Sequence, residues 1–253
     1  MQAAELFDDE TMAAGYARDR PPVHRYLMER VRATPGWADR VGCALDLGCG
    51  AGASTAALAE LASRRIGIDP YAPMVCAARR AVRGARFAVG AAEALPVATE
   101  SVDLIAAAGS LNFVDLGAFL VEADRVLAAE GRIAVTNFSF GAPADTTLAP
   151  RWPERFVERW PRPPASPVTA SSFAASPFEV TVAEDFVVSV PMNRDAYLAY
   201  VMTETNVAQA VAGGESIGQI RDWCAAELRG WTAPRPVEFR ASILLLGRSV
   251  SRT

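Results

Sequence analysis

The sequence predicts an α/β fold with a doubly wound, mostly parallel sheet. An apolar run from Val41 to Leu47 has the length of a buried strand and ends in a glycine-rich turn. Short strand-like and longer helix-like segments then alternate to the end of the chain. With 253 residues, 51% of them hydrophobic, the chain can form one such domain and cover both faces of its sheet.

Each further element has a local signal. Val23, Tyr26, Leu27 and Val31 repeat at helical spacing behind Pro22, which suits a first helical turn. A second apolar stripe predicts a helix that ends before Gly131, the expected C′ residue. Strands are predicted at residues 41–47, 65–69, 86–89, 101–105, 132–138, 178–190 and 237–246, and two late helices at 197–212 and 216–228.

Composition excludes several classes of protein. No apolar run approaches the roughly 20 residues of a membrane helix, and the acidic segment Met1–Asp9 lacks the basic start of an export signal. The four cysteines have no zinc spacing, so we expect reduced thiols, no metal site and a cytoplasmic protein. A net charge of −4 disfavours nucleic acid as a partner. The chain contains no lysine and only one histidine, His24.

The turn after the first strand is the strongest candidate for a ligand site. Gly48, Gly50 and Gly52 stand at alternate positions, which allows a tight turn and a close approach of a ligand to the backbone. We expect backbone N–H groups to point out of this turn toward an anionic group. Asp46 adds a carboxylate just before it. Because Gly48, Gly50 and Ala53 also satisfy the dinucleotide fingerprint, this motif alone leaves a nicotinamide-dependent dehydrogenase open.

Several motifs in order resemble class I S-adenosylmethionine-dependent methyltransferases, in particular small-molecule enzymes like those of ubiquinone and menaquinone biosynthesis. The segments are Tyr16…Arg20-Pro21, Asp46–Gly52, the acidic strand end at Asp69, Gly90–Pro96, which is similar to G-D-A-E-x-L-P, and Ser101–Ile105. The resemblance covers roughly residues 12–140 and implies S-adenosyl-L-methionine as cofactor. It implies a seven-stranded Rossmann-like sheet with an antiparallel C-terminal strand and a lid insertion after strand 5.

In this interpretation the whole chain, 1–253, is a single methyltransferase domain. Residues 1–35 form an N-terminal cover and 41–138 the cofactor-binding core. Residues 139–193 form a lid or acceptor region, and 194–253 supply the C-terminal helices and strand.

The resemblance assigns cofactor contacts along the chain. Asp69 lies seventeen positions after Gly52, near the spacing of a ribose-binding carboxylate, although a solvated turn aspartate would look the same. Met74 either covers the adenine or fills the core. Ala91 replaces the usual aspartate, so Glu93 or a backbone group is expected at the adenine. The cofactor candidates are Tyr16, Arg20, Asp46, Gly48, Cys49, Gly50, Asp69, Pro70, Met74, Ala92, Glu93, Gly109 and Ser110.

Acceptor contacts are expected beyond strands 4 and 5. Asn112 and Phe113 follow strand 4, where doubly wound sheets place substrates, and Asn137 ends strand 5. Trp152 and Trp160 belong to an aromatic face with Phe156 at helical spacing in the proline-rich insertion. That face either lines the acceptor site or only packs the insertion onto the core.

His24 is the candidate catalytic residue. It lies in the first turn of the N-terminal helix, where the positive end of the macrodipole disfavours imidazolium, so a neutral ring could accept a proton from a hydroxyl acceptor. A packing residue at the start of a helix is the alternative.

The predicted function is methyl transfer to a small organic acceptor, on oxygen, nitrogen or carbon, by in-line displacement. The alternatives are a protein of the same fold that only binds the cofactor or does other chemistry, and a dehydrogenase. The absence of lysine removes the Tyr-x-x-x-Lys pair of short-chain dehydrogenases. We expect a monomer or homodimer without membrane or nucleic-acid partners. The alanine- and arginine-rich composition is compatible with a high-GC bacterial source, where such enzymes often act in secondary metabolism.

Overall fold

The computed structural model describes residues 7–249 except 36, 38, 39, 146, 148, 149 and 165. Most of the acidic start, residues 1–6, therefore lies outside the described residues, as does that part of the predicted N-terminal cover. No helix in the described ranges is both long and apolar enough to cross a bilayer.

The helices and strands alternate through the first half of the chain, as the sequence predicts. The helices are α1 (Glu10–Asp19), α2 (Val23–Arg32), α3 (Ala53–Ala57), α4 (Ala72–Ala81), α5 (Leu116–Val126), α6 (Trp152–Arg159), α7 (Arg194–Val201), α8 (Thr205–Ala212) and α9 (Ile217–Glu227). The strands are β1 (Val41–Leu47), β2 (Ala62–Asp69), β3 (Arg86–Val89), β4 (Val102–Ala108), β5 (Leu127–Phe138), β6 (Ala142–Pro143), β7 (Phe178–Met192) and β8 (Arg235–Arg248).

One mixed sheet contains these strands in the order β3-β2-β1-β4-β5-β8-β6, and β7 also pairs with β8. The strands from β3 to β5 are parallel, whereas β8 runs antiparallel to β5 and to β7. The predicted α/β class, the mostly parallel sheet and the antiparallel C-terminal strand are confirmed. The two-residue β6 adds an eighth strand to the seven that the sequence predicts.

The strand order reverses at β1: β2 and β3 lie on one side of it, and β4 and β5 lie on the other. Leu45 of β1 pairs with Ile66 on one side and Ile105 on the other, so the carboxyl ends of the three strands lie together. In open α/β sheets ligands bind in the crevice at this point. The topology therefore places the glycine turn, the end of β2 and the end of β4 around one site.

Two apolar layers cover the sheet. On one face Leu27 of α2 packs with Trp152, Tyr197 and the C-terminal helices; on the other, Phe119 of α5 packs with Phe178. Both layers contain fully buried aromatic rings, and such rings bury large apolar areas.

Three local predictions differ from the structure. Gly131 does not end α5, because the chain turns extended at Leu127 and Gly131 lies within β5. The predicted helix 197–212 is divided into α7 and α8 by a break before Thr205. The predicted lid region contributes α6 to the core and β7 to the sheet, so most of it does not lie over the cavity described below.

Candidate active site

A cavity of about 520 Å³ lies at the carboxyl ends of β1, β2, β4 and β5, beneath residues of α1 and α2. One end is lined by the glycine turn, the end of β2 and the Gly90–Glu93 segment. The other end is lined by His24, the end of β5, Arg162 and Glu204. The volume lies in the range of small-molecule sites. The cavity brings together sixteen of the nineteen site residues predicted from the sequence.

The three positions of the turn require glycine for different structural reasons. All have positive φ: 64° at Gly48, 51° at Gly50 and 94° at Gly52. A Cβ on Gly48 would collide with Ser110, and one on Gly52 would lie 2.8 Å from Val82 Cγ2. A Cβ on Gly50 would meet no atom within 4 Å. Gly48 and Gly52 thus permit packing within the protein, whereas Gly50 leaves open space in the cavity wall.

Three backbone N–H groups of the turn bond within the protein and are not the free donors that the sequence predicts. The N–H of Cys49 donates to Ile68 O at 3.0 Å, that of Gly50 to Asp69 Oδ2 at 2.9 Å, and that of Gly52 to Cys49 O at 2.9 Å. The helix that follows, α3, has only five residues. These three N–H groups are therefore already paired and not directed at an anion.

Asp46 is misplaced in the sequence prediction. It is fully buried and absent from the cavity lining, because its carboxylate turns toward the start of α3. Its Oδ2 accepts from the Ser54 hydroxyl at 2.7 Å and from the Thr55 hydroxyl, while Oδ1 is buried without a partner. Burial raises its pKa to about 6 despite these bonds. Asp46 joins β1 to α3 and supports the turn from below.

Asp69 does line the cavity, at the end of β2. Its Oδ2 accepts from Gly50 N and its Oδ1 from Tyr71 N at 3.0 Å, and burial raises its pKa. Each carboxylate oxygen can accept more than one hydrogen bond, so both can still receive ligand hydroxyls. The same carboxylate thus holds the turn and faces the cavity.

Met74, Ala91 and Ala92 give the Gly90–Glu93 end of the cavity a mainly apolar wall. Met74 is 1% exposed and packs with Ala13 and Ala51 while contributing to the lining, so it is both core and wall. Glu93 accepts from Asp115 N at 2.9 Å. Phe113 is 48% exposed and meets Phe7 edge-on, with ring centroids 6.2 Å apart.

Residues after β4 connect the cavity wall to the turn. The Ser110 hydroxyl donates to Leu47 O at 2.6 Å, and Gly109 has a φ of 72°. Asn112 Oδ1 accepts from Val168 N at 3.3 Å. Pro70, Cys49 and Ala92 also line the cavity as predicted.

Tyr16 and Arg20 belong to an ion-pair cluster that closes the cavity at α1. Arg20 Nη1 pairs with Glu204 Oε1 at 2.9 Å, and its Nη2 donates to Tyr16 OH at 2.7 Å and to Thr203 O at 3.1 Å. The side chains of Arg20 and Glu204 are 13% and 12% exposed. Breaking such a buried pair leaves an uncompensated charge, so it holds α1 against the segment before α8.

His24 lines the cavity near the end of β5, beside Phe138. The two rings meet edge-on with centroids 5.3 Å apart, and His24 Nδ1 is buried without a hydrogen-bond partner. Burial, with a smaller effect of the nearby Arg20 charge, lowers the pKa of His24 to about 4. The imidazole is therefore neutral at physiological pH, as predicted, but it holds a proton weakly. Asn137 and Arg162 line the same end.

Trp152 and Trp160 do not line the cavity, and their predicted contact with substrate is wrong. Trp152 is fully buried, and its Nε1 donates to Tyr197 OH at 2.9 Å. Trp160 is 3% exposed, its Nε1 donates to Glu215 Oε2 at 3.0 Å, and its ring packs edge-on against Trp223. Of the two alternatives for this aromatic face, the structure shows packing against the C-terminal helices.

Sequence reasoning missed several residues that line the cavity near the end of β5. They are Phe138, Ser139, Phe140, Arg162, Glu204 and Thr205. Phe138 and Phe140 could have been found, since they surround the predicted end of strand 5. Arg162 and Glu204 carry no local signal, and Glu204 lies 184 positions from the arginine that it pairs with.

Comparisons with known proteins identify similarity to methyltransferases. A family model described as a methyltransferase domain matches residues 45–135. An uncharacterized methyltransferase from Mycobacterium tuberculosis is 34% identical over 120 residues, 47% of each chain, as is a Mycobacterium bovis relative. The matched segment thus spans about half the length of these curated relatives.

Solved structures extend the likeness over most of the chain. A protein from Anaeromyxobacter dehalogenans, provisionally named a type II methyltransferase, is 27% identical with a TM-score of 0.65, covering 91% of this chain and 97% of its own. Geranyl diphosphate C-methyltransferase from Streptomyces coelicolor, solved with S-adenosyl-L-homocysteine, shares the fold at 17% identity and a TM-score of 0.52, covering 90% of this chain and 78% of its own. The chain is therefore similar to methyltransferases: a methyltransferase domain matches residues 45–135, and the fold is that of the solved methyltransferase structures.

Proposed function

We propose that this protein transfers a methyl group from S-adenosyl-L-methionine to a small organic acceptor by in-line displacement. One observation carries the proposal: the turn is packed against protein at Gly48 and Gly52 but open to the cavity at Gly50. The positive φ of Gly50 already favours glycine, and the open space beside it also leaves room for a ligand to approach the backbone closely.

The residues around Gly50 fit this cofactor. Asp69 lies beside the turn and can accept hydrogen bonds from the two ribose hydroxyls. Met74 and Ala92 offer an apolar surface to the adenine ring, and Glu93 can accept from a polar group on the edge of that ring. When bound, S-adenosyl-L-methionine supplies an electrophilic methyl group on a sulfonium. Cys49, Gly109 and Ser110 complete this end of the wall.

The task of the chain is then to align the acceptor and exclude water. The Arg20–Glu204 pair closes one side, and Phe138 and Phe140 present apolar walls at the end of β5. Asn137 offers an amide for a polar group of the acceptor. These groups come from the end of α1, the end of β5 and the segment before α8.

His24 is placed to accept a proton, but its low pKa limits that role. A general base works best when its pKa lies near the working pH. A neutral imidazole with a pKa of about 4 suits an acceptor that releases its proton easily, or one that needs only a hydrogen bond. The proposal includes methyl transfer to an oxygen, a nitrogen or a carbon atom of such an acceptor.

The acceptor is proposed to be a small molecule and not a nucleic acid. The cavity has the volume of a small-molecule site and a partly apolar lining, and the chain carries a net charge of −4, which repels phosphate backbones. A role for the protein in secondary metabolism within the cytoplasm belongs to the same proposal.

Calorimetry on the purified protein tests the proposal. We expect S-adenosyl-L-methionine and S-adenosyl-L-homocysteine to bind with micromolar dissociation constants. A search for products by mass would then show a gain of one methyl group on an acceptor. Absence of binding to protein shown to be free of prebound cofactor contradicts the proposal. Binding without any methylated product across a broad acceptor screen supports the alternative of a binding protein.

A further inference from the structure

We propose that the acceptor carries an oxyanion, a carboxylate or a phosphate, that binds to Arg162, and an apolar body that lies along Phe138 and Phe140. This inference rests on the proposed function and names the substrate class of the same cavity.

Among the described residues, each charged side chain that lines the cavity has an ion-pair or hydrogen-bond partner except Arg162. Asp69 accepts from two backbone N–H groups, Glu93 from Asp115 N, and Glu204 from Arg20. Among the described residues, Arg162 lines the cavity and has no carboxylate within ion-pair distance. Its recorded contact is with the Phe140 ring, whose centroid lies 5.8 Å from Arg162 Cζ.

Near the end of β5 the described residues therefore leave the positive charge of Arg162 without a carboxylate partner. Arg20 is neutralised by Glu204 at 2.9 Å. His24 adds no charge, because burial keeps its ring neutral at physiological pH. An acceptor with a single negative charge complements this end, whereas a cationic acceptor would be repelled.

Local sequence and packing hold Arg162 at the rim of the cavity. It stands between Pro161 and Pro163, and a residue before proline is restricted to extended conformations. Phe140, which Arg162 approaches, is itself held between Phe156 and Tyr200, with ring centroids 5.2 and 6.0 Å away. The backbone at Arg162 is therefore restricted, and its guanidinium lies near a ring that is itself packed in the core.

A guanidinium is well suited to this role. Its planar fork donates two parallel hydrogen bonds to a carboxylate or a phosphate. Arg162 is exposed, so solvent screens the charge and the expected effect on affinity is moderate. The residue would select among acceptors without reaching the methyl-transfer centre.

The test measures binding of matched probes to protein saturated with S-adenosyl-L-homocysteine. The probes are 4-hydroxybenzoate against 4-hydroxybenzamide, 4-hydroxycinnamate against its amide, and phenyl phosphate against phenol. We expect at least one acid to bind about fivefold to tenfold more tightly than its neutral partner, and the favoured pair distinguishes carboxylate from phosphate.

Variants assign the preference to Arg162. Arg162→Gln should reduce the preference to less than about twofold, and Arg162→Lys should keep part of it. Arg159→Gln is the matched control, because Arg159 is a nearby exposed arginine that packs on Trp160 and does not line the cavity. The control should bind the probes like the wild type.

Three results would overturn the inference. They are equal binding of acids and neutral partners, no detectable binding of any acid, and a preference that persists in Arg162→Gln. If S-adenosyl-L-homocysteine itself does not bind, the proposed function fails first and the inference fails with it. Because cofactor binding is measured before any probe is added, the two failures are distinguishable.

Discussion

The variant Gly50→Ala tests whether the glycine turn binds a ligand or only connects β1 with α3. The change adds a single methyl group at a backbone position with a φ of 51°. The added Cβ meets no protein atom within 4 Å, so the substitution creates no clash in the free protein. The only cost to folding is the left-handed conformation of a residue with a side chain.

The structure gives the expected size of the effect of Gly50→Ala on stability and of its effect on ligand affinity. An L-residue in the left-handed region costs about 1–2 kcal/mol, which corresponds to a fall in Tm of roughly 2–8 °C for a chain of this length. A methyl group inserted into a filled space typically costs about 1–3 kcal/mol. At about 1.4 kcal/mol per factor of ten, we expect the dissociation constant for S-adenosyl-L-homocysteine to rise roughly 5- to 150-fold.

The assay is calorimetry with S-adenosyl-L-homocysteine, together with thermal unfolding in the absence of ligand. Gly214→Ala is the matched control. Gly214 has a φ of 99°, its added Cβ would also meet no atom within 4 Å, and it does not line the cavity. Gly48→Ala cannot serve as a control, because its Cβ would collide with Ser110.

The control should lose stability while keeping the wild-type dissociation constant. If Gly50→Ala also binds the ligand with unchanged affinity, the open space at Gly50 is not part of the ligand site. That result would refute the reasoning from which the proposed function is derived.

Three further predictions follow from the site and its surroundings. Asp69→Asn should weaken binding of S-adenosyl-L-methionine about tenfold by calorimetry, the loss of one charge-assisted hydrogen bond, and unchanged affinity would argue against the ribose contact. Trp152→Ala should lower the free energy of unfolding in urea by about 3–5 kcal/mol with cofactor affinity unchanged in the folded protein; a raised acceptor KM at full stability would restore the role in substrate binding. His24 has a pKa of about 4 when folded and about 6.5 when unfolded, so the unfolded chain binds its proton first as the pH falls. From pH 7 to pH 4 the free energy of unfolding of the wild type should therefore fall by up to about 3 kcal/mol relative to that of His24→Asn. Comparison with the variant cancels the opposite contribution of Asp46, whose pKa is raised. A difference between the two proteins that stays constant with pH would show that His24 titrates normally.

Local signals in the sequence predicted most of the fold and the cofactor end of the site. The first strand, the glycine turn and the acid at the end of β2 are defined by residues close together in sequence, and β3 has the predicted bounds, Arg86–Val89. Hydrophobic period and turn chemistry act over a few residues, so they can be read without knowledge of distant contacts. Tyr16 and Arg20 also lie at the cavity as the resemblance implies.

The same local signals could not decide where a predicted face packs. The aromatic stripe of α6 shows that one side of the helix is apolar, but only the tertiary structure shows that Trp152 and Trp160 meet the C-terminal helices and not the cavity. Asp46 fits a motif position that faces a crevice, yet its carboxylate turns beneath the turn to Ser54 and Thr55.

By itself the sequence determined the fold class and the position of the glycine turn, because each depends on residue type at short spacing. The tertiary structure alone decided which residues after β5 line the cavity. Arg20 meets Glu204 across 184 positions, and Arg162 reaches a cavity whose nearest walls come from β5. Such contacts depend on how the helices and loops after β5 pack against the sheet. Packing follows the sum of many distant contacts, and no short stretch of sequence carries that sum.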